Sequence, residues 1–278
     1  MQQPKLVDLH MHSTYSDGQL EPAALIDLAV RKGLAAVALA DHDCLDGVPE
    51  YEEAAEIVGL ETVSALELSC IHRGRDLHIL GYGVDVEDAP LREMLRRFCE
   101  TRENRGLKIV EKLGAMGIEL DAQEILDTSG AGALGRPHIA EALIKGGYAR
   151  DFNEVFRKYI GEDCPAYVEK YKMSPADAVS CIHDAGGLAF VAHPGFYLED
   201  MEGFNELLEE DFNGIEVYHS QHTPETAARL AEIAEDRGLL KSGGSDFHGF
   251  AGRDSLGEPH VPYEFFSRIR EQMGGRSS

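Results

Sequence analysis

Short apolar runs alternate with amphipathic runs over the first eighty residues of the chain. The runs at 5–9, 35–40 and 62–66 have the length and composition of buried strands. Residues 71–76 (IHRGRD) indicate a tight turn between the segments 67–69 and 77–82. The stretches at 22–32 and 48–59 show helical periodicity, with proline in the first turn and glycine at the end. Strands that alternate with helices in this way indicate βα units and a parallel sheet.

The alternation is interrupted after residue 83, where the pattern becomes mostly helical. Helices are predicted at 91–116, 121–127, 138–146 and 151–160, and an apolar strand at 166–168. The βα alternation then resumes, with helices at 174–185 and 224–237 and strands at 188–192, 214–218 and 239–242. We therefore expect a barrel domain formed by residues 1–83 and 173–278, with a helical insertion domain at 84–172.

Composition narrows the class of protein. The formal net charge of −24 argues against binding to duplex DNA, which requires many lysine and arginine contacts to phosphates. A small phosphorylated substrate stays compatible with this charge, because bound cations can invert the local field. No apolar run is long enough for a membrane span, no signal peptide is visible, and the five cysteines form no CxxC pair. These features predict a cytoplasmic protein, and they leave the oligomeric state open.

Histidines and carboxylates cluster where the predicted strands end. Five clusters of this kind occur, at Asp8-Leu9-His10-Met11-His12 with Asp17, at Asp41-His42-Asp43, at Glu67 with His78, at His193, and at Asp246-Phe247-His248. Imidazole nitrogen and carboxylate oxygen are ligands of borderline divalent cations. Because the carboxyl ends of barrel strands converge on one face, we expect the five clusters to form one metal site.

The motifs DLHMHSTYSDG, LADHD, ALELS followed by HIL, VAHPG and GSDFH stand in this order along the chain. In these motifs the chain resembles the PHP family (polymerase and histidinol phosphatase) over nearly its whole length. The resemblance implies a metal-dependent phosphoesterase on a distorted (β/α)7 TIM-like barrel. The segments Arg136-Pro137-His138 and Val155-Phe156-Arg157-Lys158-Tyr159 are similar to those of small PHP enzymes with a helical insertion, which act on nucleoside 3′,5′-bisphosphates.

The resemblance also implies a distribution of ligands over two or three divalent cations. The first set is His10, His12, Glu67 and Asp246, the second is Glu67, His78 and His193, and the third is Asp17, His42 and His248. Glu67 would bridge two cations, and Glu67 and Asp246 would be the catalytic carboxylates. Mixed nitrogen and oxygen ligation favours Mn²⁺ or Fe²⁺, with Zn²⁺ also compatible. Two such cations can activate a bridging hydroxide for in-line attack on phosphorus.

Several further residues are candidate substrate contacts. Arg102 and Arg105 lie three apart on one helix face, in the insertion expected to cap the barrel mouth, and arginine suits bidentate phosphate binding. The alternative is a pair of surface arginines. Arg136 with His138 is a second candidate phosphate contact, or else a loop anchor. His222 is a candidate donor of the proton to the leaving group, or a structural histidine, whereas His72, His183, His219 and His260 match no motif and are expected to be surface or packing residues.

The leading hypothesis is a hydrolase that releases phosphate from a nucleotide, a nucleoside 3′,5′-bisphosphate or a ribose phosphate. Cleavage of cyclic phosphodiesters, or of short oligoribonucleotides by an exonuclease, would use the same metals and nucleophile. A metal-binding PHP module without turnover is a further alternative, but here all nine ligand positions are filled. Hydrolysis of C–N bonds by a related barrel is disfavoured, because no lysine stands at a matching strand end.

Overall fold

The computed structural model describes residues 4–128, 135–169, 173–250 and 256–276, in which the strands form two sheets. The first sheet has the order β3-β2-β1-β9, with strands β1 (Leu6–Met11), β2 (Ala36–Leu39), β3 (Glu61–Thr62) and β9 (Val261–Pro262). The second has the order β4-β5-β6-β7-β8, with strands β4 (Ala65–His72), β5 (Arg75–Tyr82), β6 (Leu188–Val191), β7 (Gly214–His219) and β8 (Leu240–Gly244). The predicted strand positions are thus largely confirmed.

The expectation of a parallel sheet is wrong at β5, which is antiparallel to both β4 and β6, and at β9, which is antiparallel to β1. Strands β4 and β5 form a hairpin. Only Arg73 and Gly74 connect the two strands, whereas a parallel pair needs a crossover of about a dozen residues. Glu67 lies opposite Leu80, and His78 lies opposite Ser69. These two candidate ligands therefore lie within their strands and not at carboxyl ends.

The two sheets share one core although their hydrogen-bonded ladders remain separate. Buried side chains of both sheets pack together, including Leu9 of β1 and Phe190 of β6, and the Tyr82 hydroxyl donates to the carbonyl of Leu9 at 3.0 Å. Isolated bridges, Met11 with Phe247 and His42 with Glu67, link the sheets within the described residues. The mixed α/β class is confirmed, but the ladders form two sheets and not one continuous barrel.

The helices outside the 84–172 segment are α1 (Pro22–Lys32), α2 (Val48–Val58), α7 (Pro175–Asp184), α8 (Met201–Leu207), α9 (Pro224–Arg237) and α10 (Tyr263–Arg276). Four of them, namely α1, α2, α7 and α9, begin and end close to where the sequence predicts, whereas α8 and α10 were not predicted. In α1, Pro22, Leu25, Ile26 and Ala29 form the buried stripe. Gly33 ends the helix with φ of 74°, which lets its N–H reach the carbonyl of Ala29. No helix in the described ranges is long and apolar enough to cross a membrane.

The segment 84–172 is helical, as expected. It contains α3 (Ala89–Ala115), α4 (Ala122–Thr128), α5 (Arg136–Lys145) and α6 (Phe152–Val155), which continues as a π-helical turn (Phe156–Ile160). The predicted strand at 166–168 is wrong, since these residues form a turn and an irregular segment. The carbonyls of Tyr167 and Val168 accept hydrogen bonds from Lys112 and Arg105, so this segment is held against α3.

Helix α3 connects two hydrophobic cores. Its first half contributes Leu91 and Phe98 to the core around the second sheet. Its second half contributes Ile109 and Leu113 to a separate core, whose other members come from residues 118–168. The first core attaches the helical segment to the second sheet, and the other core is formed by residues of the helical segment alone.

Candidate metal centre

Glu67 lies at the centre of the predicted ligands and is almost fully buried. Its Oε1 lies 3.0 Å from Nδ1 of His78 and 3.1 Å from Nε2 of His193. Its Oε2 lies 3.0 Å from His42 Nδ1, 3.3 Å from His10 Nε2 and 3.4 Å from His12 Nε2. One carboxylate thus faces five imidazoles that come from four different motifs.

The ligand atoms form three groups, in each of which all atoms lie within 4.8 Å of one another. The groups are His10, His12, Glu67 and Asp246; His12, Asp17, His42 and His248; and His42, Glu67 and His78. The first equals the expected first set. The second adds His12 to the expected third set, and the last contains His42 in place of His193. The three groups contain eight of the nine predicted ligands, with His12, His42 and Glu67 each shared between two groups. The ninth, His193, contacts the cluster through Oε1 of Glu67.

The buried polar atoms of this cluster fit a divalent cation. His10 Nε2, His12 Nε2 and Glu67 Oε2 are buried and have no hydrogen-bond partner among the described residues. Leaving such atoms unpaired costs free energy, so native structures rarely do so without a ligand. A cation with imidazole and carboxylate ligands would satisfy all three atoms at once.

Most of the shifted pKa values in the cluster favour the protonation states that bind a cation, which are a neutral imidazole and an ionised carboxylate. Burial would raise the pKa of Glu67, but the imidazoles of His78 and His42 lower it well below its usual range. Burial, together with the nearby His248, lowers the pKa of His12 to about 3, so that ring is neutral. For His10 burial acts in the same direction, but Glu216 and Glu67 raise the pKa well above the ordinary value. Cation binding at His10 must therefore release a proton.

The loops that carry His193 and Asp246 hold these residues in the left-handed region. Their φ angles are 30° and 55°, which residues other than glycine rarely adopt. The N–H of His193 donates to Glu216 at 2.7 Å, and that of Asp246 donates to the carbonyl of His10 at 2.9 Å. Before Asp246, a Cβ on Gly244 would lie 2.4 Å from the backbone nitrogen of His10. Glycine therefore allows β8 to approach β1 at the site.

Three buried polar residues outside the nine predicted ligands support those ligands, and of the three the sequence motifs include only Asp8. Glu216 accepts from Nδ1 of His10 at 3.0 Å as well as from the His193 backbone, so it orients two ligands. Asp8 accepts from the N–H groups of Ser245 and Gly257, and burial raises its pKa to about 6. A carboxylate between the apolar residues of a buried strand, as in GIEVYH, was the available signal for Glu216.

His219 is the third of these residues, and the prediction that it lies at the surface or only packs is wrong. Its side chain is fully buried, with Nε2 3.4 Å from Oδ2 of Asp246. Its ring also lies 5.4 Å from the ring of His193. His219 therefore contacts two of the predicted ligands, Asp246 and His193, although it is not one of the nine itself.

Asp41 and Asp43, which flank His42, anchor loops of the site. Asp41 accepts hydrogen bonds from the backbone and hydroxyl of Ser13 at 2.7 and 2.6 Å. Asp43 accepts from the N–H of Ser69 at 2.7 Å. These bonds fix the loop after β1 and the hairpin strand that carries Glu67.

Two of the predicted phosphate contacts line a cavity next to the cluster. The cavity has a volume of about 220 Å³, and its wall includes Asp17, His42, His78, Arg105 and Arg136. Arg105 Nε donates to the carbonyl of Val168 at 2.7 Å. The Arg136 guanidinium lies over the ring of Phe156 at 5.3 Å and 3.6 Å from Asp76. Both guanidiniums are thus held in place beside the predicted ligands.

The other two predicted phosphate contacts have different outcomes. The side chain of Arg102 lies outside the described residues. His138 Nδ1 accepts from the N–H of Gly135 at 3.1 Å, which caps the start of α5. This bond corresponds to the loop-anchoring alternative for His138.

The geometry of His222 conflicts with its predicted role as proton donor to the leaving group. Its Nδ1 lies 2.9 Å from the carbonyl of Val217, and its Nε2 accepts from the N–H of Gly195 at 3.1 Å. The carbonyl requires a protonated Nδ1 and the N–H requires an unprotonated Nε2. Burial also lowers the pKa of His222, which keeps the ring neutral. The single N–H of the ring is therefore donated to the Val217 carbonyl and does not point to a leaving group. The two hydrogen bonds of His222 connect β7 to the turn after His193.

A buried centre of this kind on a mixed α/β fold defines the chain as a candidate metal-dependent hydrolase. The sequence of residues 8–113 matches the family model of the PHP domain. A 3′,5′-nucleoside bisphosphate phosphatase of Chromobacterium violaceum is 37% identical over 265 residues, which cover 89% of this chain and 90% of that protein. A 5′-3′ exoribonuclease of Haemophilus influenzae is 34% identical over 259 residues, or 91% of this chain and 94% of that protein.

A third relative, a phosphoribosyl 1,2-cyclic phosphate 1,2-diphosphodiesterase of Eggerthella lenta, is 32% identical, with 92% of this chain and 97% of that protein covered. Among solved structures, a candidate metal-dependent phosphoesterase from Bifidobacterium adolescentis superposes with a TM-score of 0.85 at 28% identity over 96% of both chains. The chain belongs to the PHP family, which confirms the resemblance visible in its motifs.

Proposed function

We propose that the chain is a metal-dependent phosphoesterase that releases phosphate from a small phosphorylated metabolite, with a nucleoside 3′,5′-bisphosphate as the favoured substrate. The observation that carries the proposal is the position of Arg105 and Arg136 in one cavity with His42 and His78. A substrate with two phosphates could place the reacting phosphate at the predicted metal ligands and the second phosphate at the two arginines, so that both ends of the cavity bind a charged group. Phosphoester hydrolysis is also the chemistry that the names of the three relatives share.

The nine predicted ligands are proposed to hold two or three divalent cations, with Mn²⁺ or Fe²⁺ favoured over Zn²⁺. Such cations supply Lewis-acid chemistry, since they polarise phosphoryl oxygens and lower the pKa of water. Glu67 would keep the cations together because both of its oxygens face imidazole nitrogens. Asp246, with its pKa held well below the usual range by His10 and His12 against burial, would add a second ionised carboxylate.

Arg105 and Arg136 are proposed to bind the phosphate that does not react. Both are held by contacts with the helical segment, Arg105 by the Val168 carbonyl and Arg136 by the Phe156 ring. Less side-chain entropy is then lost when a phosphate binds. In this position they would orient the ester at the cluster, and their charge would offset the acidic surroundings of the centre.

The division into domains follows from the same cavity. We propose that residues 1–83 and 173–278 form the barrel domain, with the two sheets as its wall, and that residues 84–172 form a capping domain. Asp17, His42 and His78 come from the former, and Arg105 and Arg136 come from the latter. The separate core of residues 109–166 supports this division.

A phosphate-release screen with added Mn²⁺ tests the proposed function. The substrates are nucleotides, nucleoside 3′,5′-bisphosphates, nucleoside cyclic phosphates and sugar phosphates. We expect a nucleoside 3′,5′-bisphosphate to give the highest kcat/KM, because only it places phosphates at both ends of the cavity. Equal rates for nucleoside monophosphates would contradict the role of the arginines, and release from none of these substrates would contradict phosphoester hydrolysis.

Replacing Arg136 or Arg105 with methionine is expected to raise KM for a bisphosphate by about 10- to 100-fold, because the variant loses a hydrogen bond between two charged groups. The kcat value should change less, because the bound phosphate does not react. The matched control is Arg97→Met on α3, the helix that carries Arg105; Arg97 is 72% exposed and pairs with Glu93. If the control and the two variants behave alike, the arginines have no part in substrate binding.

A further inference from the structure

Glu216 is a carboxylate in the middle of β7 and is fully buried. Its neighbours along the strand, Ile215 and Val217, belong to the apolar core around the second sheet. Burying a carboxylate costs free energy unless its oxygens accept hydrogen bonds. Oε1 lies 3.0 Å from Nδ1 of His10, and Oε2 accepts from the N–H of His193 at 2.7 Å. Each oxygen of Glu216 thus has a partner in a different ligand motif.

These two bonds complete a closed cycle of contacts with Glu67. Nε2 of His10 lies 3.3 Å from Oε2 of Glu67, and Nε2 of His193 lies 3.1 Å from Oε1 of the same carboxylate. Glu216 therefore connects the two histidines on the side opposite to Glu67. Because the Nδ1–H of His10 donates to Glu216, Nε2 is the nitrogen left to bind a cation. His10 belongs to the first expected ligand set and His193 to the second, so Glu216 contacts one ligand of each set.

An irregularity in β7 lets this strand support the centre from two positions. The pairing of β7 with β8 shifts register between Glu216 and Tyr218, as in a β-bulge. Side chains three residues apart in a regular strand point to opposite faces of the sheet. Here His219 nevertheless reaches the cluster as Glu216 does, with its Nε2 3.4 Å from Oδ2 of Asp246. The position of Glu216 therefore belongs to a local backbone geometry that turns polar groups of β7 towards the ligands.

The contact with His193 holds a backbone conformation that is unfavourable for this residue. His193 has a φ angle of 30°, in the left-handed region that residues other than glycine rarely adopt. A cation bound at His193 would fix this turn, and with it the carboxylate of Glu216 and the ring of His10. A cation bound at His10 would order the same groups in the reverse direction. The free energy needed to order the cycle is then required only for the first cation.

We propose that Glu216 is a positioning residue that couples the cation sites of His10 and His193, so that the first cation bound strengthens binding of the second. This rests on the proposed function, because it requires the proposed cation sites around Glu67. Such a coupling is reciprocal, since each site changes the affinity of the other by the same factor. The carboxylates of Glu67 and Asp246 offset the repulsion between the two cations.

The test is equilibrium dialysis of the metal-free protein against increasing Mn²⁺, with elemental analysis of the ions bound per chain. In the wild-type protein, we expect the first two ions to bind in one steep step. Glu216→Gln keeps the shape of the side chain, but the amide has one acceptor oxygen, and its NH₂ group must face one of the two N–H donors. We expect this variant to bind the ions in two separate steps, the second weaker by about 10- to 100-fold.

The matched control is Val217→Ala, the next residue of β7, whose side chain packs in the apolar core. This variant should lower the melting temperature of the metal-free protein, because it leaves a cavity, and it should keep the single binding step. A purely structural role for Glu216 would make the two variants alike. A Glu216→Gln curve equal to that of the wild type, or a curve split by Val217→Ala, would overturn the coupling.

A second measurement on the wild-type protein tests the coupling even if circular dichroism shows that Glu216→Gln does not fold. Native mass spectrometry is recorded at the Mn²⁺ concentration that gives an average of one ion per chain. We expect metal-free chains and chains with two or more ions, and a one-ion form as the major species would overturn the coupling. A wild-type protein that binds at most one ion would contradict the proposed cation centre itself, whereas independent binding of two or more ions would contradict only the coupling.

Discussion

Glu67→Gln is expected to lower kcat/KM for phosphate release by about 1,000-fold or more, since several kcal/mol of transition-state stabilisation depend on the cations that Glu67 holds. Glutamine has nearly the same shape, but it is neutral, and its NH₂ group cannot serve as a ligand. Both carboxylate oxygens of Glu67 lie within 3.4 Å of imidazole nitrogens, so either orientation of the amide loses one ligand atom. The content of divalent metal per chain should fall together with the activity.

The control for this variant is Glu56→Gln, on the exposed face of α2 and remote from the motifs. It removes one negative charge from the chain without touching the cluster, so its activity should equal that of the wild-type protein. Circular dichroism of both variants separates loss of the site from loss of the fold. Activity of the Glu67 variant within a few fold of wild type would rule out a central role for Glu67.

Removal of divalent cations by a chelator is expected to abolish phosphate release and to lower the melting temperature by about 10 °C. A site filled at 100 times its Kd stabilises the folded state by about 2.7 kcal/mol, so two sites contribute about 5 kcal/mol. For a chain of this size, each kcal/mol corresponds to about 2 °C. The physical origin is the group of buried atoms His10 Nε2, His12 Nε2 and Glu67 Oε2, which have no hydrogen-bond partner among the described residues and which a cation would satisfy.

Adding Mn²⁺ back should restore both the activity and the melting temperature. Mg²⁺ serves as the matched control, because it prefers oxygen ligands and the cluster presents mostly nitrogen. A chelated protein with the melting temperature and activity of the untreated protein would show that the cluster does not depend on cations.

The motifs predicted which side chains lie close together in the fold, because each motif ends or interrupts a buried strand that faces the same region. His12, His42, His193 and Asp246 all follow strands, and strand order alone brings their backbones together. The turn between β4 and β5 was predicted from IHRGRD at residues 71–76, and the hairpin confirms it. Its two-residue connection at Arg73-Gly74 excludes a parallel crossover, so the antiparallel pairing follows from this turn.

The orientation of single side chains could not be predicted. The sequence does not show that both ring nitrogens of His222 bond to the backbone, because these bonds depend on the path of the turn at Gly195. Glu216 and His219 lie two and five residues beyond the start of β7 and belong to none of the quoted motifs. Their positions beside His10 and Asp246 follow from strand register, which is a property of the folded sheet.

The central claim is that this cluster holds more than one divalent cation and that phosphoester hydrolysis depends on them. Elemental analysis of the protein, purified without chelator, measures the number of divalent ions per chain directly. We predict two or three ions per chain, predominantly manganese or iron. A protein that hydrolyses phosphoesters with at most one tightly bound ion per chain would contradict the multinuclear centre.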